Sequence, residues 1–310
     1  MKQKTIKTKD ELRRELGIIN ENIIINLLRR SQYDLNEAIY LEGGIHIPEF
    51  KGSFLDFLLI GREILDASAG RYDCRVEHPF FSQSANIQKI VIRRDKNECE
   101  EAQQNKLVNR NEEVKSIYLQ TLRDICKPGN QDEEYGSITL LDIDCLQEMS
   151  KRVHYGEFVA EAKYVENEKL RELVRKEDWK NVKVELKDIA QEEAVLGKSI
   201  AVVIVEKLNK LIREANWKDI LNIKEKEQRK LEIVVLDKLE LISKTQFDLI
   251  KKQNSESNET REEGIDKITP EFIRNFFNKL ISLTIDVEVE YLQKYKQKKI
   301  FESFSAFHTK

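Results

Sequence analysis

The chain has 310 residues, 53 basic against 56 acidic side chains and a net charge of −3, so it is long enough for a proper hydrophobic core and carries no global basic field for nucleic acid. Only 4 Pro and 11 Gly are present, too few turn residues for a fold of many short strands. Charged residues make up 35%, which suits long amphipathic helices with solvated outer faces and points to an all-α fold.

The first ten residues lack the apolar stretch of a signal peptide. Residues 10–32 place Leu12, Leu16, Ile19, Ile23, Leu27 and Leu28 at helical spacing, which predicts an amphipathic helix. A loop containing Gly43, Gly44 and Pro48 follows, then a more apolar helix over 50–68. His78-Pro-Phe-Phe81 reads as an ordered loop with buried aromatics. Residues 94–112 are polar and read as a surface connection, and 112–126 as a helix ended by Lys127-Pro-Gly. One long helix is predicted over 137–164 with Ser137 as N-cap, and a short one over 166–176. The segment Leu170-Arg-Glu-Leu-Val-Arg-Lys-Glu-Asp-Trp-Lys180 is echoed by Leu208-Asn-Lys-Leu-Ile-Arg-Glu-Ala-Asn-Trp-Lys218, a local tandem duplication rather than a solenoid. Residues 253–267 are polar. Thr269-Pro270-Glu271 is a helix start, with Thr as N-cap and Pro at the first helical position, opening a last helix over about 270–300.

No apolar run reaches the roughly 18 residues of a membrane span. Four cysteines without CxxC spacing suggest reduced thiols in a cytosolic protein. Glycine-rich phosphate loops, HExxH and GxSxG are all missing. His154, on a helix face, reads as an ordinary core or surface histidine. Arg152 and Lys163 are 11 residues apart on one predicted helix, close to three full turns, so both cations share a face. Thr284 and Glu288, four apart, share a face of the last helix, and Asp188 and Glu192 have the same spacing. On spacing alone, each pair reads as a solvated face with ordinary ion pairs.

Motifs in order along the chain add to that reading. Pro48-Glu-Phe-Lys-Gly-Ser-Phe-Leu-Asp-Phe57, His78-Pro-Phe-Phe81, Tyr135-Gly-Ser137, Asp142-Ile-Asp-Cys-Leu-Gln147, Ser150-Lys-Arg-Val-His-Tyr-Gly-Glu-Phe-Val-Ala-Glu-Ala-Lys163, Ile268-Thr-Pro-Glu-Phe272 and Val287-Glu-Val-Glu-Tyr-Leu292 resemble the fungal and plant chorismate mutases. The match covers most of the chain except about 194–267, which is longer than the family pattern. The resemblance implies a single large all-helical domain over 1–310, with a helical insertion and a polar loop inside 194–267.

It also implies an isomerase that turns chorismate into prephenate by Claisen rearrangement, in phenylalanine and tyrosine biosynthesis, with no cofactor and no metal. Such a reaction needs a folded substrate held in its reactive conformer and stabilisation of charge on the breaking ether bond. Both substrate and product carry two carboxylates, so a cationic pocket is required. By resemblance, Arg13 and Arg152 bind carboxylates, Lys163 reaches the ether oxygen and a carboxylate, and Glu288 is the second ether-oxygen partner. To donate there Glu288 must be protonated, so burial is expected to raise its pKa and favour activity on the acid side of neutral. Thr284 resembles a residue of the pocket wall. The hydroxyl-binding glutamate is Glu192 or its duplicate Glu232, with Glu192 favoured by its spacing from Lys163; Asp188 carries little weight. The family's homodimeric habit and its tryptophan and tyrosine effectors are also implied. Arg71, Gly136 and Ser137 fit the effector site. There, Gly70 replaces an arginine, Leu140 a threonine, and Glu133 and Glu134 replace asparagines. The added acids and lost arginine disfavour an amino acid's carboxylate, so effector control is expected to be lost or altered.

Overall fold

A computed structural model describes residues 7–87, 90, 108–130, 134–187, 196–203, 205 and 267–308. Eight helices are labelled here: α1 (Lys9–Arg30), α2 (Phe54–Ser68), α3 (Asn111–Ile125), α4 (Tyr135–His154), α5 (Gly156–Glu166), α6 (Glu168–Lys176), α7 (Trp179–Leu186) and α8 (Pro270–His308). A further helical stretch covers 196–203. No strand occurs among the described residues.

Local chemistry starts these helices where the sequence puts it. Thr8 caps α1 through the Glu11 N–H, and Glu11 returns a bond to the Thr8 N–H at 2.8 Å, a reciprocal capping box. Ser53 and Asp56 do the same for α2, which therefore begins at Phe54 rather than at 50. Thr269 Oγ1 accepts from the Phe272 N–H at 3.1 Å, and Pro270 opens α8 as expected. The α8 helix runs on to His308, beyond the expected end near 300.

Two predictions at the centre of the chain need correction. The helix expected over 137–164 begins at Tyr135, with Glu134 rather than Ser137 at the N-cap position, and it is interrupted at Tyr155. Tyr155 keeps helical angles (φ −57°, ψ −18°), but the next turn tightens, with Phe158 N–H bonding the Tyr155 carbonyl at 3.0 Å. Gly156 follows at once. A Cβ there would lie 2.8 Å from the Thr284 carbonyl oxygen and 3.3 Å from Val287, so only glycine lets α8 press against the junction. Helix α7 was not expected; Asp178 caps it through the Asn181 N–H.

The core sits around α4, which packs against α1, α2, α3 and α8. Helix α5 packs on α8 and α1, and α7 on α8 and α6. The apolar stripe of α1 (Leu12, Leu16, Ile19, Ile23, Leu27) is buried, as its spacing predicts. A polar knot ties α1, α3 and α4 together: Arg30 Nε donates to Asp142 at 2.7 Å, and the hydroxyls of Tyr40 and Tyr118 donate to the same carboxylate at 2.7 and 2.6 Å. Arg30 and Asp142 are fully buried, so desolvation offsets much of the stability their attraction adds. His154 is a core residue: its Nε2 accepts the Arg110 N–H at 3.0 Å. Phe80 and Phe81 pack against the core but are partly rather than fully buried. No described helix is long and apolar enough to cross a membrane.

Candidate active site

The interruption at Tyr155 leaves Arg152 at the end of α4 and Lys163 late in α5. Both side chains still converge on one stripe of α8. Arg152 Nη1 donates to Thr284 Oγ1 at 2.8 Å, and Lys163 Nζ donates to Glu288 Oε2 at 3.0 Å. Thr284 and Glu288 are four residues apart, so the two cations are anchored about 6 Å apart along α8. The close approach allowed by Gly156 is what brings that stripe within reach.

Arg152, Thr284 and Glu288 are buried, at 4%, 6% and 3% exposure. Arg152 is held from a second side as well, its Nε donating to Asn20 Oδ1 at 2.9 Å. These two acceptors are neutral side chains, and they orient the guanidinium. Thr284 Oγ1 in turn donates to the Leu280 carbonyl at 2.8 Å, which fixes its lone pairs toward Arg152. Lys163 Nζ also donates to the Leu186 carbonyl at 2.5 Å, at the C-terminal end of α7, where the helix dipole favours a cation. Lys183 on α7 meets Asp286 on α8 at 2.5 Å, so α7 is tied to α8 beside the site.

Asn20 was missed by sequence reasoning. Its signal was available: a polar side chain inside the apolar stripe of α1, between Ile19 and Ile23, buried to 4% exposure. Arg13 lies seven residues earlier on nearly the same face of α1. Its side chain is half exposed and bonds Asp10 at 3.0 Å. Such a surface pair is weak and exchangeable, so it is no barrier to Arg13 turning toward a ligand. Asp188, Glu192 and Glu232 lie outside the described residues, as does most of the repeat within 194–267.

The residues expected to form an effector site are apart from this cluster in their contacts. Arg71 donates to Asp66 at 2.9 Å, to Gln147 at 2.8 Å and to Glu77 at 3.1 Å. Gly136 and Ser137 stand in the first turn of α4, with Ser137 exposed. The guanidinium of Arg71 is thus flanked by two carboxylates, one of which, Glu77, also meets Lys151 at 3.2 Å.

Comparison with known proteins follows the same lines. No family model matches the chain. It is 38% identical over 181 residues to a chorismate mutase of Schizosaccharomyces pombe, covering 57% of this chain and 70% of that one. Against the chorismate mutase of Saccharomyces cerevisiae the identity is 28% over 297 residues, covering 94% of this chain and 96% of that one. Its structure is similar to the crystal structure of a chorismate mutase from Candida albicans in complex with L-Trp. That match has a TM-score of 0.65 at 23% identity, over 92% of this chain and 90% of that one.

Proposed function

The chain belongs to the chorismate mutase family, and from that premise we propose that Arg152, Thr284, Lys163 and Glu288 carry its reaction. It is an isomerase that converts chorismate to prephenate. The rearrangement is intramolecular: the ether C–O bond breaks as a C–C bond forms, and no group leaves. What the protein must supply is a folded dicarboxylate and donors at the ether oxygen as charge develops there. The observation that carries the assignment is the paired anchoring of two cations on the Thr284–Glu288 stripe, 2.8 and 3.0 Å from their acceptors.

In this reading Arg152, oriented by Asn20 and Thr284, takes one carboxylate by its planar fork. Arg13 reaches the other end of the substrate once it leaves Asp10. Lys163 donates to the ether oxygen from one side and Glu288 from the other. In this reading the buried Glu288 is an acid while substrate is bound, against the pull of Lys163. A bound dianion tips the balance toward the acid, which then donates. Glu192 or Glu232 binds the ring hydroxyl. A Glu288→Gln enzyme, which donates at every pH, should hold its kcat where the wild type declines on the alkaline side. An unchanged pH profile in that variant would sink the protonation role.

We place the product in phenylalanine and tyrosine biosynthesis and the enzyme in the cytosol, where its thiols stay reduced. We also propose a homodimer. Its support is an exposed apolar face on α2, where Phe57, Ile64 and Leu65 are 43%, 41% and 66% exposed. Effector control at Arg71, Gly136 and Ser137 is weakened, since Asp66 and Glu77 already occupy the Arg71 guanidinium. Sedimentation and turnover with and without tryptophan read both points; a monomer, or strong activation, would contradict them.

A further inference from the structure

Helices α5 and α8, which carry Lys163 and Glu288, share two polar links among the described residues, besides the edge-on contact of Tyr164 with Tyr295. One is the Lys163–Glu288 pair itself. The other is a buried cluster one turn further along α8, where the Tyr291 hydroxyl donates to Glu161 of α5 at 2.5 Å. Into this second link the loop after α2 inserts Arg75, only 6% exposed. Arg75 Nε donates to Glu157 at 2.8 Å, and its Nη1 lies 3.0 Å from Glu161. Its guanidinium sits 4.9 Å from the ring centre of Phe158 on α5 and 4.8 Å from that of Tyr291 on α8. One planar cation therefore pairs with two carboxylates of α5 and lies against a ring of each helix at once.

We propose that Arg75 is a positioning residue for the rearrangement, a wedge that fixes the spacing and register of α5 against α8 and so the placement of Lys163 against Glu288. This rests on the assignment of Lys163 and Glu288 to the reacting ether. The loop that supplies Arg75 is itself anchored, with Glu77 bonded to Arg71 and facing Lys151. Two carboxylates crowd one cation in the cluster: burial pushes Glu157 up to about 7 against the pull of Arg75. Loss of Arg75 would leave that crowding unbalanced and let the second link open, so that Lys163 and Glu288 lose the brace on the Tyr291 side.

The test compares Arg75→Lys, the double variant Arg75→Met/Glu157→Gln, and Lys163→Ala in the full chain, each with a thermal melt. Lysine keeps the charge but cannot fork to two carboxylates. The double variant removes the cation together with one buried acid. Both are expected to lower kcat roughly tenfold or more with KM changed by less than about twofold, because donors aimed at the ether oxygen, where charge develops in the transition state, have moved. Wild-type kcat in the folded double variant overturns the proposal, as does a rate loss that matches the unfolded fraction. If the double variant does not fold, wild-type kcat in Arg75→Lys overturns it. The control separates the two levels: wild-type turnover by Lys163→Ala overturns the site assignment on which the proposal rests, whereas a loss there with wild-type kcat in the folded Arg75 variants overturns the wedge alone.

Discussion

Replacing Thr284 by valine tests how Arg152 is aimed. Valine keeps the branched shape of threonine, so the contacts of α8 with Gly156 are preserved while the Oγ1 acceptor is lost. Arg152 Nη1 then faces a methyl group instead of an oxygen at 2.8 Å, in a place where Arg152 is only 4% exposed. A hydrogen bond to a charged group contributes about 1.5–3 kcal/mol. Asn20 still holds Nε at 2.9 Å, so one tether survives and the loss should lie at the low end of that range. About 1.4 kcal/mol is a factor of ten, so kcat/KM should fall about tenfold. Because Arg152 is assigned to a carboxylate present in both substrate and transition state, much of the fall should appear in KM. Adding Asn20→Leu should lose more than the sum of the two single changes, since both residues share one partner. The assay is the loss of chorismate absorbance over a range of substrate, with a melting curve for each variant. Wild-type kcat/KM in a folded Thr284→Val protein would refute the idea that neutral acceptors aim this arginine.

Asp142→Asn should destabilise the protein by about 3–5 kcal/mol, because it leaves Arg30 charged and fully buried without its carboxylate; urea unfolding measures it. Glu63 accepts from the Phe80 and Phe81 N–H groups and the Ser84 hydroxyl, yet burial pushes it up to about 7. A folded pKa above the ordinary value of 4.5 means that the folded chain binds the extra proton. Stability should therefore fall as pH rises from about 4.5 to about 7 and then level off, and Glu63→Gln should flatten that slope by an amount on the order of 3 kcal/mol at most.

How much of this was legible in the sequence depends on which interaction decides each feature. The α1 stripe and the Thr269-Pro270 start are set by neighbours within one turn or two, and periodicity found both. The 11-residue spacing groups Arg152 with Lys163 only on a continuous helix. The helix is not continuous, and the two cations meet because Gly156 lets α8 approach and present Thr284 and Glu288 to both. That is a tertiary event which no spacing encodes. Asn20 and Arg75 were missed for a related reason. A polar residue on an apolar stripe, or an arginine in a loop, declares its burial only when a partner from 82 or 132 residues away arrives to satisfy it. The capping position of Ser137 failed at shorter range: Tyr135 already begins the helix two residues earlier.

The most direct test of the central claim is the rate of chorismate loss catalysed by purified full-length protein beside its Arg152→Ala variant, both shown to be folded. Rapid conversion to prephenate by the wild type and a loss of at least a hundredfold in the variant is the expected result. Undiminished turnover by folded Arg152→Ala would contradict the account, and would place the reaction elsewhere than on the Thr284–Glu288 stripe.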